Sequence, residues 1–251
     1  MKETCYWCGK EATSMEHVPP KCLFPEEKDI QEILNKTYRE NLIRVPSCDE
    51  HNVRKSNLDE YLMVNLSGKV GNNIEGYVHT ATKVARSRKR NPNVIDIDKK
   101  EVLKLKNSEY PVLWVNVETE KLIYSFESIA RALYFYEQNH IFSGTCFVVT
   151  ELFNHPNDPE WTEFNVRSCK LIEHEKRFWK NEVKGSNPDI FTYQFSDMDD
   201  FKTQTLALNF YGGINVYVIL NSLTEAELEG AKRLVVPTSN LFFGDLKSYN
   251  K

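Results

Sequence analysis

The sequence predicts an α+β protein in two regions, and three observations carry that prediction. A short apolar stretch followed by helix-capping signals occupies the front. Strand-type runs flank one long helix-type segment behind it. Between them the basic run "RSRKRNPN", Arg86 to Asn93, ends in a turn signal. We therefore expect one unit over residues 1–68, a basic helix and linker over 69–96, and a mainly antiparallel α+β region over 97–251.

The elements follow in order. "NLIRVPS", with Leu42, Ile43 and Val45 leading to Pro46, reads as a short strand. Ser47 with Glu50, and Asn57 with Glu60, have capping-box spacing and predict helix over 48–68 with a break near Asn57. A further helix is expected from Asn73 to Arg90. After the boundary, Tyr110 to Glu118 reads as strand and Ser125 to His140 as helix, with Ile129, Leu133, Phe135 and Tyr136 at core spacing. "GTCFVVTEL", "FTYQFS" and "TLALNFYGGINVYVIL" follow as strands, and Gly212-Gly213 marks a hairpin in the last.

Composition narrows the class. Hydrophobic residues at 41% and aromatics at 12% belong to a folded chain. No apolar run is long enough to cross a bilayer, so the sequence reads as a cytoplasmic protein without a membrane segment. In that setting the six cysteines read as thiols and metal ligands rather than disulfides. The net charge is −4, yet residues 1–92 carry 15 Lys and Arg against 13 Asp and Glu, and the remainder 17 against 23. That asymmetry suits a polyanion-binding front.

Two pairs of metal-type residues stand out. Cys5 and Cys8 form a C-x2-C turn with Gly9 behind it, and Cys48 and His51 stand three apart at a helix start. Such pairs aim two donors at one atom each, and four soft or borderline donors are the set of a closed structural Zn²⁺ site. The alternative ligand set replaces His51 by His17. Cys22 reads as a buried thiol outside either set. Left over, and unneeded by zinc, are Glu16-His17 before the stiff "VPPKCLFP", Asn41, Asn52 and Lys55.

The order Cys-Cys, Glu-His, Asn, Cys-His-Asn, Lys resembles the HNH endonuclease family, built on a ββα-metal nuclease core. The matching stretches are "CYWC", "EHVPP", "NLIRVPSC" and "CDEHNVRKS", over roughly residues 5–56. His51 stands where the family usually has a second cysteine, and Glu16 where it often has an aspartate. The resemblance implies hydrolysis of DNA phosphodiester bonds, with RNA as the other nucleic-acid substrate. It implies His17 as general base, Asn41 as a brace that aims it, and Glu16 with Asn52 holding a catalytic Mg²⁺ or Mn²⁺. It also implies Cys5, Cys8, Cys48 and His51 on structural zinc.

Arg44, Arg54 and Lys55 are candidate phosphate contacts, as are Lys83, Arg86 and Arg90, which share one face of the expected basic helix. A nuclease with an accessory region and no evident sequence-reading module resembles proteins of bacterial defence systems. Residues 97–251 are left, by elimination, a regulatory, partner-binding or homo-oligomerising role. The competing class is a zinc-stabilised module that binds nucleic acid or protein without chemistry.

Overall fold

Strand alternation sets the first element. In β1 (Ser14–Val18) Glu16 and Val18 are buried while Met15 is exposed and His17 half-buried. The computed structural model describes residues 3–53, 56–105, 108–154, 158–224 and 226–227. The short α1 (Glu27–Leu34) follows, then β2 (Ile43–Ser47), which pairs antiparallel with β1 so that Val18 faces Ile43 and His17 faces Arg44. The expected helix over 48–68 is present as α2 (Asp49–Val53) and α3 (Ser56–Ser67). Arg54 and Lys55 lie outside the described residues.

The helix expected from Asn73 to Arg90 is α4 (Ile74–His79) and α5 (Ala85–Arg90), joined by a π-helical turn over Thr80–Val84. Asn73 caps it, accepting the Gly76 N–H at 3.1 Å. Thr80 and Thr82 donate back to the carbonyls of Gly76 and Val78, a threonine habit that competes with regular helix bonding.

Beyond the basic run, β3 (Asp96–Leu105) and β4 (Ser108–Asn116) form a two-stranded hairpin exposed over most of its length. The long α6 (Thr119–Gln138) begins six residues earlier than its sequence signal at Ser125, because Leu122 and Phe126 extend the buried stripe through Ile129 and Leu133. Phe135 packs partly against the core, but Tyr136 is exposed and leaves the expected stripe.

Strand β5 (Thr145–Val149), helix α7 (Pro159–Glu175), and strands β6 (Lys184–Asn187), β7 (Phe191–Phe195), β8 (Thr203–Phe210) and β9 (Ile214–Asn221) complete the chain. They make an antiparallel sheet of order β5-β9-β8-β7-β6. The α+β class therefore holds, with β1, α1, β3, α7 and β6 as elements the sequence did not signal. The β8–β9 hairpin turns at Tyr211 and Gly212, both at positive φ, and a Cβ on Gly213 would strike the Gly71 carbonyl.

The apolar core runs through the composition boundary at 86–93. Tyr6, Leu23, Ile30 and Leu62 share it with Phe126, Leu133, Phe210 and Val218. Polar ties cross the same line: Tyr211 donates to the Leu23 carbonyl at 2.6 Å, and Tyr38 to the Asp189 carboxylate at 3.1 Å. Lys36 pairs with Asp189 at 2.8 Å, and the Asn187 amide donates to the Glu40 carbonyl at 3.2 Å. Among the described residues no helix is long and apolar enough to cross a membrane.

Candidate metal centre and the His17 face

The Cys5–Cys8 turn is built by its backbone. The Gly9 N–H closes onto the Cys5 carbonyl at 3.0 Å with Gly9 at φ +73, and the Cys5 N–H donates to Lys10 at 2.8 Å. The other pair rides the first turn of α2, where the His51 N–H reaches the Cys48 carbonyl at 3.1 Å. A hydrogen bond from the Tyr6 N–H to the Pro46 carbonyl at 2.9 Å lays the turn against β2, so the two pairs meet.

Cys5, Cys8, Cys48 and His51 thereby form a group whose ligand atoms all lie within 4.8 Å of one another. Cys8 Sγ is 3.7 Å from Cys48 Sγ, and His51 Nδ1 is 3.2 Å from Cys48 Sγ and 3.7 Å from Cys5 Sγ. A tetrahedral zinc with bonds of about 2.3 Å to sulfur and about 2.0 Å to nitrogen needs S···S near 3.8 Å and S···N near 3.6 Å, roughly. The spacing fits. Burial pushes the Cys5 thiol up, but backbone N–H groups of Cys8, Trp7 and Cys48 hold it below its ordinary value overall. Cys8 is raised, first by desolvation.

The His51 ring stacks on Trp7 at 5.0 Å, Trp7 stacks on Tyr124 at 5.3 Å, and the Arg131 guanidinium lies 5.1 Å over the indole. The knuckle is thus clamped onto α6, a contact the sequence reading missed.

His17 lies elsewhere. It belongs to the other face of β1, and Nε2 accepts a hydrogen bond from Arg44 Nε at 3.2 Å. Its pKa is lowered, first by partial burial and then by the charges of Arg44, Lys21 and Arg39. The ring is therefore a neutral imidazole at neutral pH, with Nε2 as acceptor and three cations around it. Lys21 stands on the single turn Lys21–Leu23 just after Pro19-Pro20; Arg39 is held by the Phe24 carbonyl at 3.1 Å and Glu26 at 3.4 Å. Neither was singled out from sequence. Lys21, four positions after His17 across two prolines, was the one with a signal.

Glu16 is turned to the interior face of β1, 8% exposed. Asn52 donates to Ser14 Oγ at 2.7 Å, and Ser14 and Glu16 share a face of the strand, so Glu16 and Asn52 stand on one side of the hairpin and His17 on the other. Asn41 occupies the left-handed region at φ +52 in the turn into β2, a conformation asparagine tolerates, and lines a crevice with Val18, Pro19 and Phe24.

The basic helix is largely engaged within the chain. Arg86 makes a two-pronged pair with Asp29, at 2.7 and 2.6 Å, and Lys83 lies 3.3 Å from Glu26. Arg90 is exposed at the end of α5. Cys22 donates to the Asp59 carbonyl at 3.2 Å, and burial pushes its thiol up to about 12. A cleft of 230 Å³ among Lys69, Thr150, Cys169, Glu173 and Tyr217 shares no residue with the metal centre or the His17 face.

No protein-family model, no curated protein and no solved structure matches the chain.

Proposed function

We propose that the chain is a metal-dependent HNH-type endonuclease that hydrolyses DNA phosphodiester bonds, with a structural zinc on Cys5, Cys8, Cys48 and His51. The observation that carries the reading is the neutral His17 among Arg44, Lys21 and Arg39, on the strand hairpin that leads into the Cys48–His51 turn. A neutral imidazole with an acceptor nitrogen can take a proton from water, and surrounding cations favour the phosphate that the resulting hydroxide attacks. Zinc in this reading does no chemistry. Its role is to hold the turn, β2 and α2 in register.

Glu16 and Asn52, the residues expected to hold a hard cation such as Mg²⁺ or Mn²⁺, stand across the hairpin from His17, so their arrangement does not fit an ion acting on a phosphate beside His17, and the metal dependence of this reading rests on the resemblance alone. Asn41 sets the turn that feeds β2 and hence the Arg44–His17 register.

The test is plasmid cleavage by the full chain with Mg²⁺, with Mn²⁺ and with neither, beside His17→Ala, with zinc measured on both proteins. Metal-dependent nicking that disappears in His17→Ala, at one zinc per chain in each, is the expected result. RNA cut in preference to DNA would move the substrate class. Inertness of both proteins towards DNA and RNA, with zinc retained, would favour a binding module instead.

A further inference from the structure

The cleft of 230 Å³ lies between α7 and the β8–β9 turn, and its walls come from distant parts of the chain. Lys69 follows α3, Thr150 to Leu152 follow β5, Cys169, Lys170 and Glu173 sit on α7, and Ile214, Asn215 and Tyr217 belong to β9. Part of the lining is apolar. Ile214 and Cys169 are buried, Leu152 is half-buried, and burial pushes the Cys169 thiol up to about 11, so it stays neutral. Thr150 is already engaged, donating to the Asn215 carbonyl at 2.9 Å and accepting the Leu152 N–H at 3.3 Å.

The charged residues of the lining are not. The Lys69 ammonium is half-buried and donates to the Gly213 carbonyl at 3.0 Å, but it has no carboxylate partner among the described residues. An ammonium has three donors, so two remain. Lys170 is exposed and has no ion-pair partner among the described residues either. On Glu173, the Tyr217 hydroxyl and Lys176 both reach Oε1, the lysine at 3.4 Å, so Oε2 keeps its acceptor capacity. Cations and carboxylates in one partly apolar cleft select against most small solutes. An apolar molecule would take water from the charges and return no hydrogen bond. A simple anion would suit Lys69 but lie against Glu173 and Glu151, and a simple amine would meet the reverse conflict.

We propose that this cleft is a binding site for a small zwitterion of the amino-acid type, its carboxylate on Lys69 and Lys170 and its ammonium on the free oxygen of Glu173. The volume sets the scale. It is smaller than the roughly 300–1,000 Å³ of pockets that take drug-sized ligands, which suits a single amino acid rather than a nucleotide. Lys69 comes from the front of the chain and Glu173 from the helix that follows β5, so an occupied cleft braces the two regions against each other. The site stands independently of the nuclease reading, since it shares no residue with the metal centre or the His17 face.

The experiment is isothermal titration and thermal melting of the full chain with each of the common free amino acids, beside the simple carboxylate and the simple alkylamine of matching size. At least one amino acid should bind and raise the melting temperature, with its single-charge counterparts weaker by about tenfold to a hundredfold, the worth of one charge-assisted hydrogen bond. Lys69→Met and Glu173→Gln should each bring a loss of that size, and Lys170→Ala a smaller one in the same direction. Should Lys69→Met or Glu173→Gln fail to fold, Lys170→Glu decides, because an exposed lysine without partners has no part in folding. Its affinity should fall, and an unchanged value overturns the site. So does a carboxylate or amine that binds as tightly as the amino acid, or unchanged binding in folded Lys69→Met and Glu173→Gln. Absence of binding by every amino acid to the unaltered protein overturns it outright.

Discussion

The metal centre and the His17 face are built on the same β1–β2 hairpin and follow opposite physical logics. At the metal centre, four donors converge on a point, two of the cysteines are buried, and the nearest aromatic ring seals the histidine edge. At the His17 face, the imidazole is half-open, Arg44 rests on its Nε2, and the positive charges of Arg44, Lys21 and Arg39 disfavour its protonation, with Glu26 pairing Arg39. A closed cluster is complete when its metal is bound, so its free energy goes into holding the fold. An open face with a neutral imidazole and exposed Arg44 and Lys21 is held by fewer contacts, so its residues can change without altering the fold.

Breaking the closed side should have the largest effect. Cys48→Ser, or removal of metal by a strong chelator, should lower the melting temperature of the whole chain and not only loosen the knuckle. Structural zinc contributes on the order of 10 kcal/mol in small sites, and here His51 is tied through Trp7 to Tyr124 and Arg131 of α6. A differential scanning calorimetry trace that keeps its main transition after metal loss would show the clamp to be unimportant.

Breaking the open side should cost activity and spare the fold. His17→Ala should reduce cleavage by roughly 10² to 10⁴-fold, the usual contribution of a general base, with zinc content and melting temperature unchanged. Loss of zinc in that variant would put His17, contrary to the geometry, among the ligands.

A third histidine sharpens the contrast between sealed and open. His79 is fully buried, its Nε2 bonded to the Cys22 carbonyl at 3.0 Å, and burial depresses its pKa to about 4. The unfolded chain would protonate this residue near 6.5 while the folded chain resists, so stability is complete above about 6.5 and is lost as pH falls towards 4. The loss should be about 3 kcal/mol, read as a falling urea midpoint, and His79→Gln should flatten that part of the profile. An identical acid limb in the variant would assign the lability to other groups.

The smallest effect belongs to the basic helix. Arg86→Gln breaks a pair in which the arginine is half-exposed and the Asp29 side chain is buried, and should cost about 1 kcal/mol of stability, because the glutamine amide can still donate to the carboxylate. A larger loss would mean that the Glu26–Asp29–Arg86 cluster is a structural lock between α1 and α5.

Much of this was legible along the chain, for local reasons. The C-x2-C turn with Gly9, the Cys48–His51 helix start, the strand over Ile43–Ser47 and the Gly212-Gly213 hairpin each depend on residues within a few positions of one another, so spacing alone reports them. Elements carried by contacts from afar were harder. The start of α6 depended on Leu122 and Phe126 meeting the sheet, and Tyr136 sits at core spacing yet turns to solvent, because only packing decides where a buried stripe ends.

Charge shows the limit most plainly. Lys83 and Arg86 look in sequence like free cations on a helix, and Lys21 like one residue of a proline-rich loop. Whether a cation is available is set by which carboxylates fold back onto it, and Glu26 and Asp29 lie more than fifty residues from the arginine and lysine they neutralise. The sequence determines the donors and the order in which they occur. Tertiary structure decides which of them are spent, since Coulomb pairing acts over ångströms of space and takes no account of distance along the chain.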